Sequence, residues 1–430
     1  MKKITAIASL VALGLYGILL FVTIATPLRP CGRDISWMTP AHDFGLRMAE
    51  AKCLRSGVNP YDVWHGDIIM KPYIPFDTDL GHSLQGTEGF TECINAYVPW
   101  EYTLFMPLTF LPLRVAYATF FAIQALCLVI LLAIGYSFAK RIELDRHGAY
   151  IATAGAILLT GISLGRDFES GNFAIVVLTA TALMAVCLNN GRKILAGVFW
   201  AIAMIKPQLG LVFAIPLLMR KEFLTCAVAA ALCIALSIPA ALMCNASPLE
   251  MILQAPNAGI DSYYGSGTFP YSLFPFVSKN VAVHIGLSIG AIVCVLMTHM
   301  MSRHRNWLLY MLPAFITAPA WTYSLPYCHA FNWAFHLAVL CYLLKYPASK
   351  MAWGILAISL PFTTRIFNLV HFAGLMRPDL LPDCLSCLMD NYFELDPTIT
   401  TISLFIGMLL CWSLSHQPHS SHSSEQLDRK

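Results

Sequence analysis

Long apolar runs, one after another, constrain this chain more than any motif does. They occupy residues 4–26, 114–139, 148–164, 171–188, 194–219, 223–243, 281–301, 307–320, 330–345, 351–370 and 397–414. A helix crosses the ~30 Å hydrocarbon core of a bilayer with roughly 20 apolar residues, and inside lipid the backbone must satisfy its own polar groups. The runs therefore predict an all-α polytopic membrane protein. Composition agrees, because 57% of the residues are hydrophobic and 12% charged, where soluble domains carry about 25% charged residues. An ordinary soluble domain is excluded, and no basic tract suggests nucleic acid. Residues 1–414 read as one integral membrane domain, with a polar tail over 415–430 that carries His416, His419 and His422 and is expected to be disordered and cytoplasmic. The run from Lys2-Lys3 to Thr26 is longer than a signal core and no Ala-x-Ala site follows, so it reads as a retained first span.

The run at 194–219 decides the parity. As one span it would bury Lys206 at mid-bilayer and part Arg192-Lys193 from Arg220-Lys221; as a hairpin turning at Lys206-Pro207 it keeps both basic pairs on one side. The hairpin reading predicts about 12 membrane segments with both termini cytoplasmic. Each hairpin arm is too short to span alone and needs a protein-lined cavity. The inside loops then hold Lys140, Arg141, Arg146, Arg192, Lys193, Arg220, Lys221, Arg303, Arg305, Lys345 and Lys350, and few acids. Polar residues able to do chemistry fall outside. The first outward segment, about 27–113, is the longest and is dense in Trp, Tyr, Pro and acids, which predicts an ordered cap.

Within that cap a helix is expected from about Pro40 to Ser56. Thr39 suits the N-cap and Pro40 the first helical position, while Gly57 and Asn59-Pro60 supply a left-handed exit and a block. Ala41, Phe44, Met48 and Ala51 share one face, fit to lie against a membrane surface or a helix bundle, and Asp43, Arg47 and Glu50 share a neighbouring polar face, so the helix reads as amphipathic, lying along the bilayer and not crossing it. Asp43 in its first turn is placed to serve as a base.

Other outward features carry candidate chemistry. Leu164 to Asn172 precedes a helix N-terminus, whose N–H groups together with Arg166 make a receptor for a phosphate; a loop ion network of Arg166, Asp167 and Glu169 is the plainer alternative. Lys206 within an apolar run calls for a polar cavity or an anion. The turn from Ala318 to Trp333, with Trp321, Tyr323 and His329, suits a sugar or lipid head group, or else an interfacial aromatic belt. Tyr97 to Tyr102 and Ser262 to Gly267 lie where they can line the same mouth. Among the fourteen cysteines, Cys31, Cys53, Cys93, Cys244, Cys328, Cys384 and Cys387 fall outside, and one or two disulfides in the first loop are expected with the pairing open. No P-loop, HExxH, Rossmann glycine pattern or serine elbow is present, no ligand spacing compels a metal, and no cofactor is implied.

Asp43-Phe44, Gly57-Val-Asn-Pro-Tyr-Asp62, Tyr97-Val-Pro99, Pro107-Leu-Thr-Phe-Leu-Pro112, Gly171-Asn172, Gly197, Lys206-Pro-Gln208 and the Trp321 to His329 turn together resemble glycosyltransferase family 87, which includes polyprenol-phosphate-mannose-dependent mannosyltransferases. The family's paired histidines are here Cys328-His329. The resemblance implies a GT-C-like fold, a polyprenyl-phosphate sugar donor, a glycan or glycolipid acceptor among membrane lipids, and inversion at the anomeric carbon. It implies Asp43 as general base and matches His329 to one of the family's histidines. Arg166 and Lys206 are candidates for holding the phosphate on physical grounds, Lys206 with a local match as well, and Asn172, Trp321 and Tyr323 complete the candidate substrate-binding residues. The rival readings are a transporter or flippase for a polyisoprenoid-linked or anionic substrate, and a silent relative that binds lipid.

Overall fold

The structure, a computed structural model, describes residues 42–61, 97–262, 279–319, 321, 326–347, 354–355 and 403–413. Among these residues helices and short 3-10 turns are the only regular structure, as the apolar runs require. The expected first span, the Thr39-Pro40 start of the cap helix, Cys31, Cys93, the 263–267 segment, Tyr323, Cys384, Cys387 and the 415–430 tail lie outside the described residues.

Helix α1, His42–Arg55, falls inside the expected 40–56. It ends as its sequence predicts: Gly57 has φ +79°, its N–H donates to the Leu54 carbonyl at 3.0 Å, and the Val58 N–H donates to the Cys53 carbonyl at 3.0 Å. This reciprocal pairing satisfies two carbonyls of the last turn. Its polar face, however, is not open to water. From Phe44 to Leu54 every residue but Lys52 is buried, Arg47 and Glu50 included. The polar face is covered by α2, Pro99–Phe105, which leads into a 3-10 turn at Met106–Phe110. The charges stay inside because they answer each other: Arg47 pairs with Glu50 at 2.6 Å, and its guanidinium lies 3.9 Å from the centre of the Tyr97 ring.

Behind the cap stand α3 (Leu113–Arg141), α4 (Arg146–Leu159), α5 (Gly161–Ser170), α6 (Ala174–Asn189) and α7 (Lys193–Ala203). The chain continues through α8 (Pro207–Gly210), a 3-10 turn at Leu211–Phe213, α9 (Ala214–Met219), α10 (Phe223–Met243), α11 (Pro248–Ser262) and α12 (Lys279–Met300). After α13 (Trp307–Tyr310) and α14 (Leu312–Thr317), a 3-10 turn at Pro326–Phe331 runs into α15, Asn332–Lys345. α7 packs between α6 and α10, α3 packs on α4 and α6, and α15 lies against α4. Among the described residues two helices, α3 and α10, are long and apolar enough to cross a membrane. The count of about 12 spans is not confirmed among these residues.

The hairpin at Lys206 is present. Lys193 Nζ meets Glu222 Oε2 at 2.9 Å and the Thr225 hydroxyl donates to the Lys193 carbonyl at 3.2 Å, so both basic pairs sit at one end. The same end gathers other expected inside loops. Arg220 donates to the His304 carbonyl and stacks 3.5 Å from the Tyr310 ring centre, the Trp307 N–H donates to Asn189 Oδ1 at 2.8 Å, and Lys345 reaches Glu143 at 3.3 Å. Asp43 and the cap lie at the opposite end of the bundle.

Candidate active site

The site is assembled by the turn between α5 and α6. Gly171 closes α5 with φ +67°, and a Cβ placed on it would stand 2.6 Å from the Cβ of Phe44. Only glycine lets this turn rest directly on the first turn of α1. Asn172 follows. Its Oδ1 accepts from the Phe173 N–H at 2.6 Å, which points its amide nitrogen at Asp43, where Nδ2 donates to Oδ2 at 2.6 Å. Asp43 is half-buried, while Asn172 is buried.

Asp167 is buried beneath the turn. Its Oδ1 accepts from the Ala174 N–H at 2.9 Å and its Oδ2 from the Ile175 N–H at 2.8 Å. The expected phosphate receptor at the N-terminus of α6 is therefore overturned: the chain's own carboxylate already occupies the donors that a phosphate would take. Burial pushes the Asp167 carboxyl up to about 6, against the downward pull of those N–H groups and Lys206. From α3, Gln124 Nε2 donates to the Asn172 carbonyl at 2.8 Å and lies 3.3 Å from Asp167 Oδ2.

Lys206 is fully buried at the break between α7 and α8. Its ammonium stands 5.6 Å from the centre of the Tyr97 ring and within the electrostatic reach of Asp43, Asp167 and Cys328. The break is pinned by indoles: Trp100 Nε1 donates to the Met204 carbonyl at 3.1 Å and Trp200 Nε1 to the Gly210 carbonyl at 3.0 Å. Glu101, on α2, is buried beside this group. Loss of solvation pushes its carboxyl up to about 8, with Arg47 and Lys206 opposing and Glu50 adding to the rise.

Of the residues singled out in the sequence, Asp43 and Asn172 touch and Lys206 joins them electrostatically. Trp321 donates its indole N–H to the Gln208 carbonyl, which ties it to the Lys206 turn. His329 is buried, its Nδ1 3.4 Å from Asn332 Nδ2, on a 3-10 turn packed against α5 and α6. Arg166 is partly exposed on α5. Asp167 enters as a helix cap, and Glu101 as a buried acid. Gln124 was not anticipated; its signal was one amide within the apolar run at 114–139.

No curated protein and no solved structure matches the chain. The sequence model of glycosyltransferase family 87 matches residues 95–310. That span is half of the chain and contains Tyr97, Gln124, Asp167, Asn172 and Lys206; Asp43, Trp321 and His329 lie beyond it. The family is one of membrane proteins, in keeping with the two crossing-length helices. With the partners of Asp43 drawn from the matched span, the chain belongs to glycosyltransferase family 87.

Proposed function

We propose that the protein transfers a sugar, mannose or a similar hexose or pentose, from a polyprenyl-phosphate donor to a glycan or glycolipid acceptor of the cell envelope. The reaction takes place on the outward face of the inner membrane, with both termini cytoplasmic, and inverts the anomeric carbon. Asp43 takes the proton of the acceptor hydroxyl as that oxygen bonds to the anomeric carbon. The bond from that carbon to the phosphate oxygen breaks, and its electron pair leaves with polyprenyl phosphate. Lys206 offsets the charge gathering on the departing phosphate, and Arg166 on α5 and His329 on the 3-10 turn before α15 contribute beside it. General-base help of this kind contributes about 10² to 10⁴ in rate, and fixed positive charge in a site shielded from water contributes more.

The observation that carries this reading is the convergence of Asp43, the Asn172 turn and buried Lys206 at the end of the bundle opposite the basic rim. A carrier would also use a broken helix and a buried lysine, but family membership favours transfer. The test is sugar transfer by the purified protein in lipid, with radiolabelled polyprenyl-phosphate sugars, for wild type and Asp43→Asn. Transfer from one donor by wild type and its collapse in the variant, with donor binding kept, are expected. Full transfer by the variant would remove Asp43 from the chemistry.

A further inference from the structure

We propose that Gln124 and Asn172 are positioning residues for Asp43, aiming one of its oxygens at the protein so that the other meets the acceptor hydroxyl. The inference rests on the reading of Asp43 as the base.

Gln124 is fully buried within a crossing-length helix, and among the buried residues of α3 it alone carries an amide, the others being apolar side chains, glycine and Cys127. A polar residue at such a place is costly unless it has a task. Its amide nitrogen reaches three oxygens: the Asn172 carbonyl at 2.8 Å, the Asp167 carbonyl at 3.2 Å and Asp167 Oδ2 at 3.3 Å. The first belongs to the α5–α6 turn and the other two to Asp167 in the last turn of α5. Its own Oε1 is buried without a partner among the described residues. An amide left half-satisfied costs about 1–3 kcal/mol, so an apolar side chain of the same length would suit the helix better. What the amide secures is the turn.

The turn in turn holds Asn172 in one orientation. The Phe173 N–H requires an oxygen, so Oδ1 stays there at 2.6 Å and only Nδ2 is left to face Asp43. A flip would leave the Phe173 N–H unpaired and set an oxygen against a carboxylate. The Asn172 to Asp43 bond is charge-assisted and short, as such bonds are. A carboxylate held at one oxygen by a rigid donor presents the other in a fixed direction, and a misplacement of ~1 Å at a reacting atom costs about 10²-fold in rate.

The test measures transfer kinetics, with a labelled polyprenyl-phosphate sugar, for Gln124→Met and Asn172→Ala, alone and combined with Asp43→Asn. Each single change is expected to lower kcat by about 10- to 100-fold with donor KM within about twofold, and to add less than about twofold to the loss in Asp43→Asn. A wild-type kcat, a loss confined to KM, or losses that multiply with that of Asp43→Asn would overturn the proposal. If Gln124→Met does not fold, Asn172→Ser takes its place in the same cycle. Full activity of Asp43→Asn sinks the base and this inference together. An inactive Asp43→Asn beside normal Gln124→Met and Asn172→Ala sinks this inference alone.

Discussion

Asn172 donates its side-chain N–H to Asp43 Oδ2 at 2.6 Å, across 129 positions of the chain. The carboxylate stands on α1, before the span that matches the family, and its partner stands inside that span. The two meet because Gly171 lets the α5–α6 turn lie flat on Phe44.

That contact makes Gly171→Ala a sensitive change. The substitution combines a left-handed backbone with a Cβ 2.6 Å from Phe44, and the backbone strain alone costs about 1–3 kcal/mol. Thermal unfolding should move down and transfer should fall with it, since the turn must lift from α1. Gly191→Ala is the control: its φ is +69° but nothing lies near the added carbon. It should lower stability by the strain alone and leave kcat unchanged.

Lys206→Met should lower kcat for transfer by about 10² to 10³, the loss typical of removing a group that stabilises developing charge. Lys206→Arg should keep part of the rate, because the cation remains at the α7–α8 break. Steady-state kinetics of the two variants check this, and equal activity of Met and wild type would remove Lys206 from the reaction.

Glu101 predicts a pH dependence of stability. Its carboxyl is raised from 4.5 to about 8 in the folded protein. Between those values the folded state keeps a proton that the unfolded state has lost, so the stabilisation present at low pH declines as pH rises toward 8 and changes little beyond. The decline is at most ~1.4 kcal/mol per pH unit for one proton. Glu101→Gln should flatten it, which denaturant titration at several pH values in detergent would reveal as a wild-type-minus-variant difference that depends on pH.

At the far rim, Arg220 stacks on Tyr310 at 3.5 Å and on Trp307 at 4.5 Å and donates to the His304 carbonyl. Arg220→Ala should cost about 1–2 kcal/mol of stability through these lost contacts. It should leave kcat and KM alone, since the site lies at the other end of the bundle. Thermal unfolding beside transfer kinetics separates the two effects.

Local signals in the sequence determined much of this protein. The apolar runs dictated helices because lipid leaves the backbone no other partner, and Gly57 with Asn59-Pro60 ended α1 where a left-handed residue was needed. Basic pairs on either side of Lys206 foretold the reversal that Lys193 and Glu222 close. Asp43, Asn172 and Lys206 were legible as chemistry because charge and amides are expensive among apolar residues. What the tertiary structure decided is how they face one another. The spacing that made α1 look amphipathic cannot tell water from a neighbouring helix, and α2 covers its polar face. The N–H groups opening α6 look free in the sequence, yet Asp167 fills them, a choice made by the path of a three-residue turn. Gln124 carries no local signal of purpose, because its three acceptors lie 43 to 48 residues away and reach it only when α3 packs against α6.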